Sequence, residues 1–213
     1  MSGALQAVFQ NQRSFGRAIG SAYEGGFFAG QISTAGNGIA DFNLVVGPVA
    51  SAESGSLQWK TSSSGTDPSS VINGPANSST MNSATYPAAQ FCEGLTIGGF
   101  SDWYMPAKNE LEVCYYNLKP NTSLNDAGYG INTNAVPSRG SGYTTGSPAQ
   151  TSATVFKTGN AEAYSAVAYW SSTQASSANA NGQSFDTGYQ WNFYPKNTSN
   201  ASVKVRAIRR VAV

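Results

Sequence analysis

Apolar residues along this chain fall into two helix-like stretches set among short strand-like runs. After Pro87, the residues Ala88, Phe91, Cys92 and Leu95 follow at i, i+3, i+4 and i+7, which places them on one face of a helix. Gly94, Gly98 and Gly99 close that stretch. After Pro106, the residues Leu111, Cys114, Tyr115 and Leu118 repeat the spacing and Pro120 ends it. Two short amphipathic helices therefore flank "GGFSDWYMP".

The strand signals lie on either side of these helices. "FFAGQI", with Phe28 and Ile32, "FNLVVGPVA" and a brief "LQWK" predict short strands between residues 27 and 60. Near the other end, "SAVAYWSSTQ", "GQSFDTG", "YQWNFYPK" and "SVKVRAIRRVAV" are four runs separated by turn formers. In the last run Val203, Val205 and Ala207 alternate with Lys204 and Arg206, the pattern of a strand with one wet face. Two helices followed by four strands give an α+β reading.

Between these elements the chain is polar. Residues 61–84 offer almost nothing to bury and many turn formers, which predicts a long surface loop. Residues 121–159 read as a second loop region, with Tyr129, Tyr143 and Phe156 as its few core contacts. Residues 1–25 carry Leu5, Val8, Phe9 and Phe15 in a polar frame broken by "SAYEGG", an arm suited to attachment elsewhere; residues 26–213 form the main domain.

Composition narrows the chemistry. Twelve Lys and Arg stand against eleven Asp and Glu, so no strong field gathers nucleic acid or anionic lipid. Aromatic residues reach 12% while charged ones are 11%, a balance suited to recognition by rings and short hydrogen bonds. The sequence holds no His, which removes the commonest general base and a common metal ligand. Cys92 and Cys114 each fall on an apolar helical face and read as buried free thiols. No clustered oxygen ligands suggest calcium, and no cofactor is expected. The first residues lack a basic flank and apolar run, and no window is apolar enough to span a bilayer, so a soluble chain without membrane insertion is expected.

The segments Gly98 to Pro106, Asn109 to Leu111, Tyr169 to Thr173 and Val205 to Val211, with a weaker match at Leu57 to Lys60, together resemble a known domain family. Its members share "GGxSDWxxP…NEL", "YWSST" and "VRAIRRV"; they occur in phage tail-fibre and tail-tip proteins and at the end of a bacterial collagen-like adhesin. The resemblance spans residues 27–213 and implies a C-type-lectin-like fold of the formylglycine-generating-enzyme variant. That fold is two short helices packed on a small twisted antiparallel sheet, rich in loops. It implies that Trp103 and Trp170 are core residues inside framework motifs. Relatives often carry Thr or Ser where Ala107 stands, so this chain is expected to forgo a helix cap there, about 0.5–2 kcal/mol, with Asn109 and Glu110 compensating.

The functional expectation is a virion adhesin that binds a bacterial surface receptor, glycan or protein. It would join other tail proteins through its arm, form a homotrimer and be made in the host cytoplasm. A structural decoration or collar protein and a free bacterial surface adhesin are the alternatives. Enzyme activity is not expected: the enzymes of the related fold use paired reactive cysteines and copper, which Cys92 and Cys114 do not imitate, and no Gly-x-Ser-x-Gly elbow occurs. Residues 174–200 alternate Asn, Ser, Gln, Tyr and Trp with almost no aliphatic residue, and mark the receptor face. Tyr189, Trp191 and Tyr194 are its expected rigid contacts, and Asn179, Asn181, Gln183, Asp186, Gln190 and Asn192 its hydrogen-bonding partners. Alternation sends Phe185 and Phe193 inward if Gln183 and Trp191 point outward. In relatives this segment is sometimes hypervariable, rewritten by a diversity-generating retroelement.

Overall fold

The computed structural model describes residues 16–199 and 201–213, so Leu5, Val8, Phe9 and Phe15 of the expected arm lie outside the described residues. In chain order the strands are β1 (Ala22–Tyr23), β2 (Gly26–Ile32), β3 (Phe42–Val46), β4 (Glu53–Gly55), β5 (Ala135–Val136), β6 (Ala168–Gln174), β7 (Asn179–Ser184), β8 (Gln190–Pro195), β9 (Val203–Arg206) and β10 (Ile208–Ala212). The α-helices are α1 (Val49–Ala52), α2 (Gly74–Thr80), α3 (Pro87–Glu93) and α4 (Lys108–Leu118). The molecule is thus α+β, but with two five-stranded sheets and four described helices in place of one small sheet and two helices. One sheet runs β1-β2-β3-β10 with β5 also on β2; the other runs β4-β9-β6-β7-β8. Pairing is antiparallel except between β6 and β9.

The helical stripes dock as their spacing predicts. Leu111, Cys114, Tyr115 and Leu118 of α4 enter one cluster with Ile32, Leu44, Phe185 and Ile208. Ala88 and Cys92 of α3 enter another with Trp59, Trp103, Trp170 and Val205. Each fully buried Leu or Val contributes about 1.5–3 kcal/mol against exposure. Trp103 and Trp170 are both 1% exposed, core residues as the motifs imply.

The final strand run is two strands. At Ala207 the chain leaves the second sheet for the first, because Ala207 N–H donates to Ala52 O (2.9 Å) and its carbonyl accepts from Gly47 N–H (3.0 Å). Nor is one face wet: Arg206 is 1% exposed. Its guanidinium donates to Gly47 O (2.9 Å), Glu162 O (2.9 Å) and Glu162 Oε2 (2.8 Å), and it covers the Tyr164 ring.

This strap ties the quoted segments to one another in space. Arg209 grips Asp102 of "SDW" through both carboxylate oxygens (2.7 and 2.9 Å). Arg210 donates to Glu110 of "NEL" at 2.7 Å, and the same carboxylate accepts from Tyr104 OH (2.6 Å) and Ala107 N–H (2.8 Å). From "YWSST", Thr173 Oγ1 accepts the Lys108 N–H (3.0 Å), while Ser172 N–H donates to Pro106 O (2.7 Å). The start of α4 is therefore capped after all, by Glu110 and by Thr173 from another element, although Ala107 itself offers no acceptor.

Two loop readings change. Residues 61–84 contain α2, and Met81, Ser78, Asn77 and Asp67 are buried. Asn73 Oδ1 caps α2 by accepting from Ala76 N–H (3.3 Å), with Pro75 in the first turn. "LQWK" forms no strand; its Trp59 is buried and donates Nε1–H to Ser171 O at 2.7 Å. In residues 121–159, Tyr143 and Phe156 reach the core and Tyr129 packs partly against it, as expected.

Candidate functional site

The expected receptor residues gather around β8, the edge strand of the second sheet; no strand pairs with its outer side among the described residues. Its register against β7 sets which side chains meet. Gly182 faces Trp191 and Ala180 faces Tyr194, so two residues of β8, Asn192 and Phe193, stand opposite the single Asn181. This bulge restores the parity of Trp191 and Tyr194, which share a face with ring centroids 5.4 Å apart. A side chain at Gly182 would meet Tyr169 O at 2.9 Å, so glycine permits the close approach of the β6 backbone there, while the Trp191 indole lies at ordinary contact distance beside it.

The rings continue along the edge. Tyr189 lies 5.7 Å from Trp191, 6.4 Å from Phe193 and 4.7 Å from Tyr129 of the long loop. Tyr194 meets Trp170 of the core at 5.6 Å, which fixes the row to the framework. Tyr189, Gln190, Trp191 and Tyr194 are half-buried and Asn192 is exposed; Gln190 accepts from Gly130 N–H at 3.4 Å. Asn179, at the start of β7, is half-buried beside the Ser176 turn.

Asn181 and Gln183 do not belong to this face. Both are buried: Asn181 Nδ2 donates to Thr173 O (3.2 Å) and Gln183 Nε2 to Tyr143 OH (3.1 Å). β7 is an interior strand covered on both sides, so its amides serve the sheet. Phe193 also departs from the alternation: it is 54% exposed, because the bulge breaks the parity that would turn it inward, whereas Phe185 is fully buried. Sequence reasoning missed Tyr129 and Ser184. Tyr129 joins through a contact some sixty positions distant in sequence, for which no local pattern exists; Ser184 sat unremarked inside the "GQSFDTG" run.

Behind Trp191 and Tyr194 opens a cleft of about 280 Å³ floored by Ala166 to Ala168 and bordered by Ser184 and Asp186. Asp186 Oδ1 accepts from Asn121 Nδ2 (2.8 Å) and Ser123 Oγ (2.7 Å), which holds the carboxylate in place. Between residues 174 and 199 the charged residues are Asp186 and Lys196. Lys196 is fully buried and donates to Asp67 Oδ2 (2.7 Å) and Gln174 Oε1 (3.0 Å). Burial opposes the charge of Asp67, yet Lys196, Lys60 and Tyr86 outweigh it and hold this carboxyl below its ordinary range. The base of β8 is thereby clamped to the 61–73 loop.

A second opening, of about 310 Å³, lies between Tyr116 and Arg139. There Arg139 is already paired with Glu112 and stacked 4.0 Å over Tyr116. Among the described residues no three His, Cys, Asp or Glu side chains gather as a metal site, and no helix is long and apolar enough to cross a membrane. A scan against protein-family models and a search of curated proteins return no match for this chain.

Proposed function

We propose that this chain is the receptor-binding adhesin of a phage tail fibre or tail tip, on a C-type-lectin-like framework, and that the β8 edge contacts a bacterial surface receptor. The row of rings from Tyr129 through Tyr189 and Trp191 to Tyr194, with Phe193 exposed beside it, carries the reading. Such rings offer large, rigid contact area at little entropic cost, and aromatic residues of this kind dominate binding energies at recognition surfaces. The framework motifs are occupied with one another, whereas this edge presents its rings where no strand pairs among the described residues. Of the expected 1–25 arm, Ala22–Tyr23 pair with β2 as part of the domain; on this reading the chain before β1 joins the domain to other tail proteins, and a homotrimer multiplies weak contacts into useful avidity.

The test is a double substitution, Tyr189→Ala with Trp191→Ala. Adsorption to receptor-bearing bacteria should be abolished while the melting temperature changes little, whereas Trp103→Ala or Trp170→Ala should unfold the domain. Undiminished adsorption by the folded double variant would sink the assignment.

A further inference from the structure

Resting on that reading of the β8 edge, we propose that the Trp191–Tyr194 cleft takes an uncharged pyranose of a surface glycan and rejects acidic sugars. Three features of the cleft converge on this ligand class. Trp191 and Tyr194 present rings on one side, the apolar surface on which the C–H face of a sugar stacks. Ser184 and Asp186 border the same opening with complementary hydrogen-bonding capacity. Ser184 Oγ already accepts from Asp186 N–H (3.1 Å) and Thr187 N–H (3.3 Å), so its own proton remains to be donated. Asp186 is the converse: Oδ1 is filled by Asn121 and Ser123, and Oδ2 has no partner among the described residues. A carboxylate oxygen only accepts. One donor and one acceptor beside a stacking platform match neighbouring hydroxyls of a pyranose, each of which can give and take a hydrogen bond.

The charge sets the exclusion. Asp186 is the single charged group lining the cleft. Lys196, the other charged residue of this segment, is enclosed and paired with Asp67. Asp126, bonded to Thr187 Oγ1 at 2.5 Å, adds a second negative charge nearby. Lys119, the cation nearest in effect to Asp186, is buried against Ser123 O and Asn125 Oδ1 and does not line the cleft, so a uronate or sialate carboxylate would meet the Asp186 carboxylate with no cation on the cleft wall, an arrangement that disfavours binding.

The experiment is a titration of the full chain followed by tryptophan fluorescence. Trp59, Trp103 and Trp170 are at most 1% exposed, so Trp191 is the indole within reach of a ligand. A panel of neutral bacterial polysaccharides, dextran and mannan included, is compared with alginate and polygalacturonate. At least one neutral polymer should perturb the emission and the two acidic ones should not. Asp186→Asn retains an acceptor for Asn121 and Ser123 while removing the charge and replacing the open acceptor by a donor. It should weaken the neutral ligand about tenfold and narrow the gap between neutral and acidic polymers. Trp191-dependent binding of alginate or polygalacturonate, or no response to any neutral polymer, overturns the proposal. Adsorption to cells that needs Trp191 yet survives periodate oxidation of the surface glycans overturns it too, while leaving the receptor face standing. Adsorption indifferent to Trp191 removes the face itself.

Discussion

Glu110 shows how much one residue of this framework carries. Its carboxylate is fully buried, and burial pushes its pKa up while Arg210, Tyr104 and the Ala107 N–H favour the charge. Removing Arg210 would leave a buried carboxylate without its cation, a loss of about 3–5 kcal/mol. We expect Arg210→Ala to lower denaturant stability by that amount, and Arg210→Ala combined with Glu110→Gln to recover part of it; urea titration of the three chains checks this. Gly74 matters beside it, because a Cβ there would sit 2.1 Å from Glu110 Oε2. The sequence pointed to Glu110 at the start of α4, but not to its pairing with Arg210 or its contact with Gly74. "NEL" and "VRAIRRV" lie a hundred positions apart, and only the fold brings Glu110 to Arg210. Arg206 misled in the same way, since alternation places it on a wet face while long-range partners make burial tolerable.

At the level of elements, α3 and α4 were legible because apolar spacing and flanking prolines are local signals. Helix α2 was not. It lasts seven residues, and its buried Asn77 and Ser78 are held by tertiary bonds, Asn77 Nδ2 to Ser70 O (2.7 Å) and Ser78 Oγ from Met105 N–H (3.0 Å). The candidate site was legible in its aromatics but not in its amides, because the burial of Asn181 and Gln183 follows from the central place of β7. The loop before α2 depends on Asp67, which accepts hydrogen bonds from Lys60 (2.8 Å), Lys196 (2.7 Å) and Tyr86 (2.5 Å). Its folded carboxyl titrates below the ordinary 3.8, so the stabilisation is complete above that value and disappears as pH falls through the lower, folded one. Hydrogen exchange across residues 61–80 should accelerate in that acid window, and Asp67→Asn should bring the same acceleration at neutral pH. Unchanged protection in both would show that the clamp is idle.

Across the whole molecule, burial raises the pKa of cysteine thiols and tyrosine hydroxyls. It pushes the Cys114 thiol up to about 12 and lifts Cys92, Tyr104, Tyr143 and Tyr164 well above their ordinary values. The unfolded chain releases these protons at ordinary values of 9.0 for Cys and 10.0 for Tyr. Stability is therefore fully present below pH 9.0 and is lost as pH rises towards the folded values. The melting temperature should hold to about that pH and then fall, with a step in tyrosinate absorbance from the buried Tyr104, Tyr143 and Tyr164 accompanying unfolding. Both thiols should resist a labelling reagent until then, and the intact mass without reductant should match two free cysteines. The strap through Ala207 bears on how such a molecule is made. Strand β9 sits inside the second sheet between β4 and β6, and β10 closes the first beside β3. Val46 finds its partner Ile208 only after the intervening chain exists. A ribosome that has released the first two hundred residues has supplied β1-β2-β3 and β6-β7-β8, but β4 cannot join its sheet and β3 keeps an open edge until residues 203–212 emerge. Contacts this distant in sequence make that last step slow, on the order of milliseconds to seconds.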